Sequence, residues 1–409
     1  MGELRFPGLR PCDMLLPAPG VDLRNWAVVA CDQFTSQPDY WQRVERAVGG
    51  APSTLRLILP EVYLKEGRSA APIAAVMERY LADGTLVRAV ENGFILTERT
   101  TASGKRLGLM AAVDLECYDY ATGKLLIRAT EQTVPERLPP RMGVRQAASL
   151  ELTHVLLLVD DPKRSVIEPL YAQRKAPLYD VELMEGGGHL RGWAVTDQAQ
   201  KARLSAALCA LEKDAGGFLY AVGDGNHSLA TAKRCWEELK STLSPAQAVV
   251  HPARWALVEL VNLHDEAILF RPIHRLVFGA GLAELTEAFR LWAGGQGVGL
   301  CPGDTLRFLS SEGETGFALT DRRLPIQLVQ DFLDGYLAEH PDASLDYIHG
   351  DETLRELASQ PDRVGLLLPE IDKHGLFPGI RAGGCLPRKA FSMGEAEEKR
   401  YYLECRKIK

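Results

Sequence analysis

The stretch Phe218-Leu-Tyr-Ala-Val-Gly-Asp-Gly-Asn-His-Ser-Leu-Ala-Thr-Ala-Lys233 predicts a strand, a glycine turn and a helix in immediate succession. Residues 218–222 form a short apolar run, which is typical of a buried strand. From Leu229 onward the apolar residues recur at helical spacing. Because backbone N–H groups and the helix dipole favour negative charge where such a helix begins, the intervening turn is a candidate phosphate site.

The turn also concentrates acid, amide, imidazole and hydroxyl groups where a helix needs only one cap. Its spacing matches neither the Walker sequence nor the dinucleotide fingerprint, and many turns of this kind bind nothing. The density of polar groups favours a functional interpretation. We predict that Gly223, Gly225, Asn226 and Ser228 bind phosphate, that Asp224 and His227 are catalytic, and that Asp224 also binds a metal ion.

The length, composition and net charge of the chain are those of an ordinary globular protein. The chain has 409 residues, 46% of them hydrophobic and 25% charged, with a net charge of −7. The acidic balance disfavours a nucleic-acid surface. Eight scattered cysteines form no Cys-x-x-Cys pair, which favours reduced thiols over a zinc ribbon. With no signal-like or membrane-spanning apolar run, we expect a cytoplasmic protein.

Apolar periodicity predicts an α/β fold, with α+β as the alternative. Strands are expected at residues 26–30, 55–59, 153–159 and 255–263, and helices at 73–81, 137–149 and 197–212. Glycine turns at 102–105 and 121–124 predict an antiparallel meander. We expect three regions: 1–150 with the meander, 151–248 with the central turn, and a C-terminal α/β region, 249–409.

Further polar clusters lie at the ends of predicted strands, where open α/β sheets tend to bind ligands. Phosphoryl transfer needs cations to hold phosphate and a carboxylate to orient a hydroxyl group or to hold Mg²⁺. For any one of these residues, a structural role is the more common explanation. The predicted catalytic residues are Asp32 and Glu131, the phosphate ligands Arg137, Arg141 and Arg388, and the substrate ligands Gln33, Thr35, Asn262, His274 and Arg275.

Two other chemistries remain open. Several histidines, with Asp224 and Asp265, would suit a metal-dependent hydrolase, although no local His pair of the usual spacing is present. Cys31 beside Asp32 is the one candidate cysteine nucleophile, but nothing in the sequence marks its base, and a buried structural cysteine explains it better.

The central turn resembles the Asp-Gly-His-His-Arg signature of a bacterial and archaeal family known as domain of unknown function 1015. Matching segments occur along almost the whole chain, and the sequence is identified as a member on that basis. The segments are Leu9-Arg10-Pro11, Arg128-Ala-Thr-Glu131 with Thr133, Glu136 and Arg137, the strand at 257–262 with Asp265, Pro272-Ile-His274-Arg275, Asp346-Tyr-Ile-His-Gly350 and Leu386-Pro-Arg-Lys389.

This family looks similar to the ParB and sulfiredoxin group, which includes CTPases and a kinase for free serine. The resemblance implies a ParB-like mixed-sheet core, a cytoplasmic phosphotransferase for a small hydroxylated metabolite, and ATP, ADP or CTP with Mg²⁺. Asn226 and Ser228 replace the first His and the Arg of the signature. Phosphate charge would then be met by Arg137, Arg141, Arg388, Lys389 or Mg²⁺.

The missing arginine favours a second hypothesis, a nucleotide-sensing module without turnover. A DNA-bound partition factor is disfavoured by the net charge, and a homodimer is the default expectation.

Overall fold

A computed structural model describes residues 4–35, 37–66, 70–120, 125–133 and 138–409, and the chain divides into two compact units. Unit 1 comprises Met1–Ala129, Thr133–Leu269 and Gly394–Lys409. Unit 2 comprises Thr130–Gln132 and Phe270–Met393. Both boundaries of the predicted three-region division, 150 and 248, fall inside unit 1, because strands from the first and second regions pair with each other in one sheet.

The strands of unit 1 are β1 Leu9–Arg10, β2 Cys12–Pro17, β3 Val28–Val29, β4 Leu86–Thr101, β5 Gly104–Asp114, β6 Tyr118–Asp119, β7 Ile127–Ala129, β8 Leu150–Leu152, β9 Val155–Val159, β10 Tyr179–Glu182, β11 His189–Val195, β12 Tyr220–Asp224 and β13 Trp255–Asn262. After unit 2, whose strands are β14 Phe270–Phe278, β15 Gly299–Ser310, β16 Gly313–Thr320, β17 Ser344–His349, β18 Arg363–Leu367 and β19 Phe391–Met393, unit 1 resumes with β20 Tyr401–Tyr402 and β21 Cys405–Lys407.

The helices of unit 1 are α1 Leu23–Trp26, α2 Pro38–Val48, α3 Ala71–Ala82, α4 Leu138–Ala147, α5 Glu168–Ala172, α6 Gln198–Asp214, α7 Asn226–Lys240 and α8 Pro245–Val250. Those of unit 2 are α9 Leu282–Gly295, α10 Pro325–Glu339, α11 Asp351–Ala358 and α12 Lys373–Gly383. None of the helices in the described ranges combines the length and hydropathy that a membrane crossing needs.

Unit 1 is built on one large mixed sheet with the strand order β6-β7-β12-β9-β13-β5-β4-β2-β21-β8. The strands β1, β11 and β10 branch from it, β1 on β5 and β11 on β4. β12 runs antiparallel to β9 and parallel to β7, and β9 runs parallel to β13. This mixture of directions confirms a mixed α/β fold. It also brings the end of β12 beside the beginning of β9.

The core of unit 1 is an aromatic and aliphatic cluster that joins the segment before residue 60 to the segment after residue 400. Trp26 is fully buried and donates its indole N–H to the carbonyl of Leu403 at 3.1 Å. Helix α2 begins at Pro38, and proline is favoured in the first turn of a helix. It buries Trp41 and Val44 against the same cluster. The late segment is thereby fixed to the early one by apolar packing.

Unit 2 has its own antiparallel sheet, with the order β16-β15-β18-β14-β17 and β19 paired to β14. Phe289 of α9 contacts Phe308, Phe317 and Phe332, which form an aromatic centre. Glu131 joins this unit through a parallel bridge to Leu386. The helices and strands of unit 2 give this part of the chain the α/β character predicted for the C-terminal region.

The predicted strand at 55–59 is wrong, because Thr54–Leu57 form a 3₁₀ turn. Ser53 caps the turn by accepting from the backbone N–H of Leu55, and Thr54 Oγ1 donates to the carbonyl of Trp26 at 2.7 Å. These side-chain bonds to the backbone compete with strand pairing, and apolar spacing does not reveal them.

The first hairpin of the predicted meander is confirmed, since β4 and β5 pair antiparallel up to Thr101 and Gly104. The second is wrong in direction: β6 and β7 pair in parallel, with Tyr118 opposite Ile127. The turn at 121–124 lies outside the described residues. Periodicity marks a strand but does not give its direction, which here is set by pairing of β7 with the distant β12.

Candidate active site

The central turn has the predicted strand–turn–helix form. β12 ends at Asp224, α7 begins at Asn226, and Gly225 between them has a φ of 81°, in the left-handed region that favours glycine. A Cβ at Gly225 would lie 3.1 Å from the Cα of Val155 and 3.0 Å from Cδ2 of His154. Glycine is therefore required at this position by both conformation and space.

Exposure around the turn is partial. Gly225 and Asn226 are buried, whereas Gly223, His227 and Ser228 are half-buried. The N-cap of α7 is Gly225, which has no side chain to cap the helix. The helix has 15 residues, so its dipole places partial positive charge at this turn.

Asp224 forms an ion pair with a residue from the far end of the sequence. The ammonium group of Lys399 lies 3.3 Å from Asp224 Oδ2, and the Lys399 side chain is only 10% exposed. Asp224 Oδ1 accepts from the N–H of Gly225 at 2.8 Å. A mostly buried cation thus stands directly at the turn, where the sequence leaves no arginine.

A hydrogen-bonded chain of four side chains lies next to this pair. Nε2 of His154 is 3.3 Å from Asp32 Oδ2, and Nδ1 of His154 is 2.6 Å from the hydroxyl of Tyr402. The Tyr402 hydroxyl donates to Cys31 Sγ at 3.3 Å. His154 makes both of these hydrogen bonds as a donor when its two ring nitrogens carry protons, one donated to Asp32 and the other to Tyr402.

Asp32 and His154 each stabilise the charged form of the other. Burial alone would raise the pKa of Asp32, but the adjacent His154 and the hydrogen bond from Gln33 lower it below its ordinary value of 3.8. Burial likewise opposes charge on His154, yet Asp32 raises its pKa well above 6.5. At neutral pH the two are therefore a carboxylate and an imidazolium.

This ion pair predicts a pH-dependent stability. The pKa of His154 is above 6.5 in the folded state. The stability that His154 contributes is therefore complete below pH 6.5 and is lost as the pH rises through the folded-state pKa. A lowered pKa of Asp32 means that its contribution is complete above 3.8 and is lost on further acidification. We expect His154→Gln to lower the free energy of unfolding by about 1.5–3 kcal/mol near pH 5.5, and by less at pH 9.5.

Urea unfolding at pH 5.5, 7.5 and 9.5 measures this difference. The matched control is His189→Gln, which removes a more exposed His–Asp pair whose Nε2–Oδ1 distance is 2.8 Å. We expect at most about 1 kcal/mol from the control. A cost of His154→Gln that does not change with pH would contradict the charged form of the pair.

A cavity of about 170 Å³ opens beside the turn. Ser228, His154 and Tyr402 line it together with Glu61 and Arg141, which are ion-paired to each other. Burial raises the pKa of Glu61, and Arg141 partly offsets that effect. The remaining walls are mostly apolar. The cavity is therefore a small space whose walls combine apolar side chains with a few polar and charged groups.

His154, Tyr402, Glu61 and Lys399 were not among the residues predicted from the sequence. Prediction relied on the carboxyl ends of strands, as in parallel sheets, whereas β9 runs antiparallel to β12 and so brings its amino end to the turn. His154 lies within the predicted strand at 153–159 and directly before the observed start of β9, so its place at the amino end of a buried strand was the available signal. Lys399 and Tyr402 carried none, because their neighbours at the turn are more than 170 positions away in the sequence.

The predicted site residues fall into both units. In unit 1, Arg141 lines the cavity beside the turn, whereas Asp32 contacts His154 and accepts from Gln33 Nε2 at 2.9 Å. Thr35 is exposed near them in sequence. Arg137 lies outside the described residues. Glu131, His274, Arg275 and Arg388 belong to unit 2.

Within unit 2, Arg275 is buried and held by protein groups. It donates to Gln330 Oε1 at 2.9 Å and to the carbonyls of Ile273 and Lys389. His274 is bonded to Asp351 at 2.9 Å and accepts from the N–H of Leu368. These contacts give both residues a structural role.

Other groups of unit 2 are less enclosed. Arg388 donates to the Tyr347 hydroxyl at 3.3 Å, and Glu131 Oε1 accepts from the N–H of Ala390 at 3.2 Å. In unit 1, Asn262 is also structural, because its amide donates to the Asp161 carbonyl and to Glu168 while its oxygen accepts from the N–H of His264.

No group of three or more His, Cys, Asp or Glu side chains suited to a metal ion occurs within the described ranges. Asp224, the predicted metal ligand, has Lys399 as its charged partner. All eight cysteines have free thiols. A Mg²⁺ ion shared with nucleotide phosphates stays a prediction.

The mixed sheet, the glycine turn and the charged groups around it define a globular α/β protein with a candidate anion site in unit 1. The model of the family described as "Protein of unknown function (DUF1015)" matches residues 14–348, which is most of the chain. The protein therefore belongs to the DUF1015 family.

No curated protein matches the chain in sequence. Among solved structures it is similar to a free serine kinase in complex with AMP, at 12% identity and a TM-score of 0.37 over 73% of this chain and 91% of that chain. For a mutant of that kinase in complex with ADP, the identity is 11% and the TM-score 0.38, over 73% of this chain and 92% of that chain. For SbnI with a C-terminal truncation from Staphylococcus aureus, the identity is 10% and the TM-score 0.36, over 70% of this chain and 83% of that chain. TM-scores this low do not establish a shared fold.

Proposed function

We propose that unit 1 is a nucleotide-dependent phosphotransferase acting on a small hydroxylated metabolite, with free serine as the first acceptor to test. One observation carries the proposal: the carboxylate of Asp224, the mostly buried ammonium group of Lys399 and the N-terminus of α7 meet at one glycine turn. Phosphoryl transfer depends chiefly on such positioning and charge stabilisation.

The phosphate groups would lie at the start of α7, against the backbone of Gly223, Gly225, Asn226 and Ser228. Lys399 supplies the cation that Ser228 cannot. An ammonium group has three donors, so its 3.3 Å ion pair with Asp224 is compatible with a phosphate contact. Arg141 and Arg137 remain further candidate phosphate ligands at the turn, and Arg388 remains a candidate within unit 2.

Asp32 is the candidate residue for orienting the acceptor hydroxyl group, because its carboxylate is ionised and held in place by His154 and Gln33. His154 is a positioning residue, itself fixed by Tyr402. Asp224 and His227 remain candidates at the turn, and Glu131 is a candidate within unit 2. The nucleotide, ATP, ADP or CTP with Mg²⁺, would supply the phosphoryl group.

The size of the cavity suggests what it holds. At about 170 Å³ it is smaller than the roughly 300–1,000 Å³ typical of pockets for larger ligands. We therefore assign it to the acceptor metabolite. Gln33 and Thr35 remain candidate substrate ligands, and Asn262, His274 and Arg275 remain less favoured candidates because protein groups hold their side chains. The relation to the ParB and sulfiredoxin group and the homodimer remain part of this proposal.

A nucleotide screen tests binding. We expect ADP, ATP or CTP with Mg²⁺ to raise the melting temperature of the parent protein, and Lys399→Met to weaken nucleotide affinity by about tenfold or more, since a charge-assisted phosphate contact is lost. Thermal-shift titration gives the affinities. Lys240→Met is the matched control, because Lys240 lies at the opposite end of α7 and pairs with Glu116.

The same samples decide between the two functions. Formation of a phosphorylated acceptor, with serine and related alcohols, supports the phosphotransferase. The second candidate, a nucleotide-sensing module, is favoured by the ion pair of Arg141 with Glu61, which neutralises a cation that catalysis would use. It predicts binding without product. Absence of any nucleotide binding would remove both.

A further inference from the structure

A larger cavity of unit 1, of about 1020 Å³, plays no part in the proposed phosphotransfer. Its walls come from the segment around β1 and β2, from the end of α3 and beginning of β4, from α6 and from β21. Buried apolar side chains, among them Phe6, Leu9 and Leu86, form part of the lining. Its volume suits a ligand larger than the small cavity beside the turn can hold.

The lining is strongly basic. Of the described residues that line it, five are basic (Arg10, Arg88, Lys201, Arg406 and Lys407) and one, Asp13, is acidic. Asp13 accepts from Arg88 at 3.2 Å and from the N–H of Asn92 at 2.8 Å. The remaining positive charge has no counterpart in the wall of the cavity.

Arg10 is the basic side chain of this wall whose buried donor finds no acceptor among the described residues. Its guanidinium group stacks on the indole of Trp255, with 4.1 Å from Cζ to the ring centroid. Within the described part of the chain, the buried Nε of Arg10 has no hydrogen-bond partner, nor does the buried Nε1 of Trp255 beside it. Buried donors are normally paired, so Arg10 is held in place by stacking on Trp255 and not by a hydrogen bond from Nε.

Two carboxylates around Arg10 and Arg406 are already engaged. Both oxygens of Asp114 accept from Arg254, over distances of 2.9 and 2.5 Å. Glu151 accepts from Arg406 at 2.6 Å and from Arg145 at 2.7 Å. Burial and the neighbouring Arg406 lower the pKa of Arg10, which is the direction expected for a cation that lacks a neutralising partner.

We propose that this cavity binds an organic anion with an apolar body, whose carboxylate or phosphate group pairs with Arg10. The planar guanidinium group, held flat by Trp255, presents the fork that oxyanions bind with two parallel hydrogen bonds. The apolar lining receives the body of the ligand. The site is separate from the turn at residues 223–228 and uses the Leu9-Arg10-Pro11 segment, to which the proposed function gives no role.

Calorimetric titration with benzoate and with phenyl phosphate tests the proposal. We expect at least one to bind the full-length protein, and Arg10→Gln to weaken that binding by about tenfold or more. Binding of benzoate alone identifies a carboxylate site, and binding of phenyl phosphate alone a phosphate site. Arg88→Gln is the control, because Arg88 lines the same cavity but is paired with Asp13. Binding by neither probe, or equal weakening by the two substitutions, would overturn the proposal.

A second measurement uses the parent protein, so its result does not depend on whether the Arg10→Gln variant folds. Phenylglyoxal modifies arginine side chains, and mass spectrometry reports the rate at Arg10. We expect the bound probe to slow modification of Arg10 and to leave Arg88 unaffected. The protection should persist in Lys399→Met, which separates this site from the nucleotide site. An unchanged rate at Arg10 under saturating probe would overturn the proposal as well.

Discussion

We expect Asp32→Asn to lower the rate of phosphoryl transfer by roughly 10²–10⁴-fold, the range usual for loss of a positioned acid–base group. The amide is isosteric but carries no charge, so it neither orients a hydroxyl group as strongly nor pairs with the imidazolium of His154, 3.3 Å away. Nucleotide affinity should change little, because Lys399 and the start of α7 are unaltered. Product formation from nucleotide and acceptor, measured under saturation, gives the rate.

Asp13→Asn is the matched control. Asp13 is a half-exposed carboxylate of unit 1 that accepts from Arg88 and from the N–H of Asn92, and it takes no part in the hydrogen-bonded chain of His154 and Tyr402. Its replacement should leave the rate within about twofold, as expected for a surface substitution. A rate for Asp32→Asn equal to that of the parent would remove Asp32 from the catalytic role.

We expect Glu259→Ala to be the most destabilising of the substitutions considered, at about 3–5 kcal/mol. Glu259 is 1% exposed at the middle of β13, where its Oε1 accepts from Thr97 at 2.7 Å. Its Oε2 lies 3.5 Å from Arg400 and 3.8 Å from Arg106. Removing the carboxylate deprives the buried Arg106 of its charged partner and leaves Arg400 with Glu404 alone. Urea unfolding at pH 7 measures the loss.

Two comparisons isolate the cause. Glu259→Gln keeps the bond to Thr97 but removes the charge, so a similar cost would assign the loss to the arginines. Glu266→Ala removes a carboxylate that is 91% exposed and pairs with Arg164, and it should change stability by at most about 0.5 kcal/mol. If Glu259→Ala cost no more than Glu266→Ala, the buried network would not be stabilised by its central charge.

Local signals in the sequence were sufficient for most elements near the site. The apolar run before Gly223 and the helical spacing after Leu229 predicted β12 and α7, and Gly225 adopts the left-handed conformation that a glycine turn suggests. The hairpin of β4 and β5 was predicted from its glycine turn in the same way. Each of these features depends on residues within a few positions of one another.

The rest of the site depends on pairing between distant segments. Val155 and His154 reach Gly225 because β9 pairs antiparallel with β12, and Lys399 reaches Asp224 because the late segment packs against the early core. A prediction based on strand ends assumed parallel neighbours and so selected Asn262 and His274, whose polar groups satisfy the protein itself. Strand direction and long-range packing are not encoded in local periodicity.

Unit 2 is inserted almost wholly between Leu269 and Gly394, and unit 1 takes up the chain again afterwards. During synthesis on a ribosome, residues 270–393 therefore emerge before the segment that carries Lys399 and Tyr402. The candidate active site cannot assemble until that segment has been translated, so nascent chains halted before it would expose Trp26 and its apolar neighbours and would depend on chaperones.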